Sequence, residues 1–341
     1  FNASAVTTAG GTVDIVAGGT GAHQIVLGNG ADKYTSTSSG ADAVTATAGA
    51  NTISTGAGAD SITLGTGADS VEGGTGADRF TVATANLTSA DTLAGGLGDD
   101  IITLSNAATV VDADFTNVTS VESISSGNNA LTLTTGSLSA SAGLSTITMG
   151  TGADDITIGV DSSSAITAAL STGNDSVVAT NYTGTFTVTA DVDSITADDT
   201  ITAGAGTADV LSLSAQSTDG TGLTAAELNG VTGFEKYVTS DNTAIDIAVD
   251  NTNVASGKTL TVDFSTLATA VGDFDASGVT TAGGTVDITA LGTGAHQIVL
   301  GNNADKYTST SSGADAVTAT AGANTISTGS GDDSITLGTG A

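Results

Sequence analysis

The 341-residue chain has no cysteine, no proline and no tryptophan, and only 3% of its residues are aromatic. Without cysteine there is neither a disulfide frame nor thiol chemistry. Without proline no N–H is deleted from a backbone ladder, so uninterrupted β structure is open to the chain. The shortage of large side chains excludes a thick core and leaves a thin, regular one of stacked small aliphatic residues. Basic residues are equally scarce. Lys33, Arg79, Lys236, Lys258 and Lys306 stand against 36 acidic residues, a formal charge of −31. That balance excludes a nucleic-acid partner and argues against an anionic membrane surface. No apolar run approaches the roughly 20 residues of a membrane span.

What is present is glycine, 47 residues of it, with much Thr, Ser and Ala. The acids are of one kind: apart from Glu72, Glu122, Glu227 and Glu235, all are Asp. Aspartate suits tight turns and short-reach metal ligation, whereas a merely soluble surface uses Glu as freely.

Two repeats organise the chain. Residues 1–68 recur as 274–341, an offset of 273, with differences only at positions 2, 5, 16, 18, 30, 57 and 59. The expected reading is one long unit and the start of the next, cut from a longer tandem array, with any targeting segment outside it. His23 and His296 are then the same position in successive units and read as a tolerated polar residue. Inside the unit runs a shorter period: GTGAHQIV, LGNGADKYT, TSSGADAVT, ATAGANTIS, TGAGADSIT, LGTGADSVE and GGTGADRFT place His23, Asp32, Asp42, Asn51, Asp60, Asp69 and Asp78 in register. Further copies surround Asp100, Asp154, Asp175 and Asp209, Asp91 is a further candidate position, and the second unit repeats the register at Asp305, Asp315, Asn324 and Asp333.

This pattern resembles the G-G-x-G-x-D-x-U-x nonapeptide of the repeats-in-toxin (RTX) family, a calcium-binding β-roll. Many copies depart from it at the first glycine, which is Leu64 in LGTGAD and Thr55 in TGAGAD. Each Gly-x-Gly-x-Asp segment reads as a turn and each x-U-x as a short strand, with Ile53, Ile62 and Val71 pointing inward. Two nonapeptides make a coil of about 18 residues, so alternate turns share an edge. Asp42, Asp60 and Asp78 then line one edge, and Asp32, Asn51 and Asp69 the other. Carboxylates stacked at strand spacing repel, and calcium relieves this by accepting carboxylate and carbonyl oxygens together. The fifteen positions named above, from Asp32 to Asp333 with His23 and His296 excepted, are the expected metal ligands for several Ca2+ ions. Asn51 and Asn324 keep a ligand oxygen but less charge, so a weaker site is expected there. The alternative is a set of Asp–Gly turns without metal.

Between residues 105 and 273 the nonapeptides thin out and alternating strands such as LTLTT and GTFTVTA take over. FTNVTSVESIS at Phe115 is echoed by LNGVTGFEKYV at Leu228, and LTAAELNGV suggests one helical turn. The expected fold class is all-β, a parallel β-solenoid: an RTX β-roll over 1–104, an irregular solenoid over 105–273, and the start of a second unit over 274–341. The middle is similar, more loosely, to calcium-dependent bacterial surface-layer proteins. The resemblance implies export from a Gram-negative bacterium by a one-step system that reads a C-terminal signal, and a location outside the cell. The expected function is structural: self-assembly into a surface layer, sheath or fibre, with the stalk or ligand- and ice-binding region of a giant adhesin as the alternative. Its partners are copies of itself and cell-surface polysaccharide. Catalysis is not expected, because the chain lacks the H-E-x-x-H and G-x-S-x-G patterns and has one His per unit.

Overall fold

A segment such as Ser61–Leu64, with apolar residues two apart, buries one face only and needs identical neighbours to complete a core. A computed structural model describes residues 1–7, 11–83, 86–159, 164–214 and 222–339. The last two residues of the second repeat copy, Gly340 and Ala341, lie outside them. The chain is a nearly all-parallel β-solenoid, and it divides into two compact units, residues 1–166 and 167–341. That division falls within the irregular stretch, since in a stack of coils each coil meets only its neighbours and a change in composition is no packing boundary.

In the first unit one face stacks Gln24–Val26, Ala43–Thr45, Ser61–Thr63, Arg79–Val82, Ile101–Leu104, Ser123–Ser125 and Thr146–Thr148 in parallel register. The opposite face is built first from Asp14–Ala17 through Thr92–Leu97 to Val118–Thr119, then from Ala108–Val110, Leu131–Thr134 and Asp155–Thr157. In the second unit one face runs from Phe186–Asp191 to Thr325–Ser327. Its other face passes from Ser176–Val178, Thr200–Thr202 and Val231–Thr232 to a set spanning Ile245–Asp250 to Ser334–Thr339.

The core is a pair of facing columns. Ile25, Val44, Ile62, Phe80, Ile102, Ile124 and Ile147 pair in sequence down one face, all buried. Ile53 and Val71 do point inward, but they stack on each other from the opposite face, while Ile62 lies between Val44 and Phe80. The few aromatics are spent here: Tyr34, Phe80, Phe115, Phe186, Tyr237, Phe264, Phe274 and Tyr307 are fully buried, and only Phe1 is strongly exposed.

Turn glycines permit the coils to stack at this closeness. Gly74 (φ +111°) and Gly76 (φ +127°) lie directly over Gly56 and Gly58, and an added Cβ on either would overlap the carbonyl of the glycine beneath. Coil length is not uniform. Equivalent turn positions are 18 residues apart at Asp42 and Asp60, 22 at Asp78 and Asp100, and 26 at Asp209 and Glu235. The 18-residue expectation therefore holds only where the nonapeptides are regular; elsewhere the extra residues enter the turns and lengthen the strands. The echoed segments fold alike: 3-10 helices at Asp112–Phe115 and Glu227–Gly230 precede the strands Val118–Thr119 and Val231–Thr232.

Because Phe80 is fully buried between Ile62 and Ile102, Phe80→Ala is expected to cost about 3–5 kcal/mol. Val16→Ala, at a strongly exposed position, is expected to stay within about 0.5 kcal/mol. Denaturant unfolding in saturating calcium measures both.

Candidate functional site: the aspartate ladders

Most turns of the nonapeptide stretches end on an aspartate whose side chain reaches toward the preceding coil. There its Oδ1 accepts a backbone N–H. On one edge Asp42 accepts from His23 (2.9 Å), Asp60 from Asp42 (2.6 Å), Asp78 from Asp60 (2.8 Å) and Asp100 from Asp78 (2.8 Å). On the other, Asp32 accepts from Val13, Asn51 from Asp32, Asp69 from Asn51 and Asp91 from Asp69, over 2.7 to 3.1 Å. The structure thus places the two sets on separate edges, linked residue to residue.

The same bond recurs elsewhere. Asp154 accepts from Leu131, Asp209 from Phe186, Asp305 from Val286, Asp315 from His296, Asn324 from Asp305 and Asp333 from Asp315. Asp175 donates its own N–H to Asp199 at 2.7 Å.

The second oxygen separates the ladder into two groups. In Asp32 it accepts from the Gly28 N–H, in Asp42 from the Tyr34 hydroxyl (2.8 Å), in Asp91 from Thr88, in Asp209 from the Gly204 N–H and in Asp315 from the Tyr307 hydroxyl. In Asp60, Asp69, Asp78, Asp100 and Asp305 it is buried with no hydrogen-bond partner. At Asp78 and Asp100 that oxygen lies against Gly73 and Gly95, where an added Cβ would collide with it. Burial pushes the Asp78 carboxyl up to about 6, with Asp60 and Asp100 adding repulsion. Burial likewise raises Asp60, Asp69, Asp100 and Asp305. Asp42 goes the other way: burial opposes its charge, but donation by the Tyr34 hydroxyl and the His23 N–H outweighs it. Burial, together with the Asp42 carboxylate, takes the Tyr34 hydroxyl up to about 12, so it remains a donor.

Asn51 and Asn324 occupy ladder positions, but their oxygens are committed to the N–H groups of Asp32 and Asp305. His23 contacts the Asp42 Oδ1 through Nδ1 at 2.8 Å, whereas His296 is buried against the Phe264 ring and accepts from the Gly272 N–H.

Sequence reasoning missed three ladder members. Glu122 accepts from the Asp100 N–H (2.8 Å) and Glu235 from that of Asp209 (3.1 Å), each at the glutamate of the echoed V-T-x-[VF]-E element; Asp199 is the third. The echo itself was the available signal. Aspartate makes the same bond across steps of 22 to 24 residues, so coil length alone does not call for the longer side chain.

Among the described residues no three His, Asp or Glu side chains converge on one point. An ion here relies on one carboxylate oxygen combined with backbone carbonyls, a donor mixture that suits calcium. The buried, unpartnered oxygens of Asp60, Asp69, Asp78, Asp100 and Asp305 fit that requirement.

The family model for the RTX calcium-binding nonapeptide repeat (four copies) matches the chain at residues 36–71, 45–80, 87–106 and 309–341. These matches and the parallel β-solenoid support an RTX β-roll protein. No curated protein and no solved structure matches it. The RTX repeats bind multiple Ca2+ ions, and the matched segments contain Asp42, Asn51, Asp60, Asp69, Asp78, Asp91, Asp100, Asp315, Asn324 and Asp333. The RTX solenoid is a structural, calcium-binding and typically non-catalytic fold, and its members are typically secreted. Among the described residues no helix is long and apolar enough to cross a membrane.

The raised carboxyls set a pH dependence. A folded-state pKa above the unfolded value means that the folded chain binds more protons, so stability falls as pH rises through the interval from 3.8 to about 6 spanned by Asp78. Asp42, held below the ordinary range, loses its contribution only in more acid solution. In calcium-stripped buffer the RTX chain is expected to melt higher at about pH 4.5 than at about pH 7.5, with calcium stabilising it more at the higher pH. Thermal unfolding followed by circular dichroism checks the sign; a melting point that rises with pH in calcium-free buffer contradicts it.

Proposed function

We propose that this RTX chain is a secreted, calcium-gated structural element that self-assembles outside a Gram-negative cell into a surface layer, sheath or fibre. The observation that carries the reading is the ladder's second-oxygen set. Five buried carboxylate oxygens have no partner within the chain, so the neutral-pH fold is completed by cations that abound outside cells. Asp60, Asp69, Asp78, Asp100 and Asp305 would hold ions with carbonyls of the adjoining turns. Asp32, Asp42, Asp91, Asp154, Asp175, Asp209, Asp315 and Asp333 are the remaining candidate ligands in the same ladders. The calcium supplies positive charge between stacked carboxylates; the chain's residues supply spacing and shape.

The tandem copy supports an architectural role. Asp305, Asp315, Asn324 and Asp333 rebuild in the second copy the ladder of Asp32, Asp42, Asn51 and Asp60, with the same acceptor bonds. Such repetition extends a solenoid without new folding information. Copies of the chain are the proposed partners, with cell-surface polysaccharide as the anchor.

The test is circular dichroism and light scattering during calcium titration from zero to about 10 mM, with magnesium as control. A cooperative gain of β signal with calcium alone, followed by growth of ordered assemblies, is the expected outcome. A chain already folded at neutral pH in chelator and indifferent to calcium sinks the reading.

One observation favours the adhesin alternative. Thr45, Thr63, Thr81, Thr103, Ser125 and Thr148 pair in an unbroken hydroxyl column on the outer face of the first unit. Beside it Arg79 and Ile101 interrupt the neighbouring column, and Arg79 donates to the Thr103 hydroxyl at 2.6 Å. An ice-binding face of this kind predicts thermal hysteresis in the calcium-loaded protein; its absence removes the ice-binding form of that alternative.

A further inference from the structure

Asn51 and Asn324 differ from the aspartates around them in one respect that the ladder turns into a difference in kind. The N–H of Asp32 meets the Asn51 Oδ1 at 3.1 Å, and that of Asp305 meets the Asn324 Oδ1 at 2.9 Å. These contacts fix the amide's orientation, since a flipped amide would set NH2 against N–H. The amide nitrogen must therefore face the turn. It does so in both copies: Asn51 Nδ2 donates to the carbonyls of Gly49 (2.9 Å) and Ala48 (3.3 Å) and also to the Asp69 Oδ1 (3.0 Å), and Asn324 Nδ2 donates to the carbonyls of Ala321 (2.9 Å) and Gly322 (3.4 Å).

An aspartate at the same position places a second acceptor oxygen there instead. Acceptor facing acceptor is repulsive in a buried site and demands a proton, a chain donor or a cation. Asp69, the next residue on the edge of Asn51, shows the demand: its Oδ2 is buried without a partner.

We infer that Asn51 and Asn324 are calcium-independent turn closures, in which the amide NH2 does the work that a bound ion does at the unpartnered aspartates. This rests on the calcium reading of the ladder and deepens it by dividing the ladder positions into those that take the ion and those that exclude it. A cation at Asn51 would have to displace both amide donors from their carbonyls while the Asp32 N–H still held the only side-chain oxygen. One such closure in each repeat copy gives each copy a coil joint that is complete before any ion arrives.

The division is reversible by single-atom changes, which makes it testable. The whole chain, the double variant N51D/N324D and the single variant D69N are compared for the number of Ca2+ ions bound, by calorimetry and native mass spectrometry. Their melting points are compared in chelator at about pH 7.5. N51D/N324D is expected to bind one or two more ions than the parent, and to melt lower in chelator by on the order of 5 °C. D69N is expected to bind one fewer and to melt higher in chelator. Should N51D/N324D fail to fold in either condition, D69N decides the question alone. A calcium count equal to the parent's in the variants that fold overturns the inference. A parent that binds no calcium overturns the calcium reading itself, a result distinguishable from the first.

Discussion

The bond from a turn aspartate to the backbone N–H of the coil before it is the constraint on which the fold depends. It does what a β ladder does between strands, but at the corners, where the chain is turning and no strand partner is at hand. At 2.6 to 2.9 Å along Asp42, Asp60, Asp78 and Asp100 it locks successive turns into register. That register in turn aligns Ile25 through Ile147 into one column and lets glycine lie over glycine at Gly74 and Gly76. The cost falls on the second oxygen, which the same geometry pulls out of solvent.

Each ladder position answers that cost differently. Tyr34 and Tyr307 donate a hydroxyl, Thr88 and the glycine N–H groups donate from the turn, the two asparagines carry their own donor, and a remaining set has no donor in the chain. Calcium dependence in an RTX protein of this design is therefore not spread evenly along the sequence. On the proposed reading it would concentrate where the unpartnered oxygens are, chiefly at Asp60, Asp69, Asp78 and Asp100 in the first unit.

Much of this was legible in the sequence because both repeats have simple physical meanings. An in-register Asp about every nine residues with a β-branched or aromatic residue two positions on encodes the turn and the inward side chain together, and both edges follow from the alternation. What could not be read was the fate of each oxygen. Whether Asp42 is satisfied depends on Tyr34 lying inside the coil at hydroxyl reach, and no spacing rule encodes that. The asparagines were read from their chemistry as ligands that retain an oxygen, but the structure shows that oxygen already committed. Glu122 and Glu235 were hidden because they stand outside the Gly-x-Gly-x-Asp pattern, at the end of the echoed V-T-x-[VF]-E element.

Every one of these bonds has the same sense: the later coil supplies the acceptor and the earlier coil the N–H. A stack of such coils is consequently polar, with carboxylates presented toward its beginning and amide donors toward its end. Two stacks meeting beginning to beginning would oppose carboxylate to carboxylate, while beginning to end continues the pattern. Under the proposed self-assembly this arrow would favour open head-to-tail chains over closed two-fold pairs.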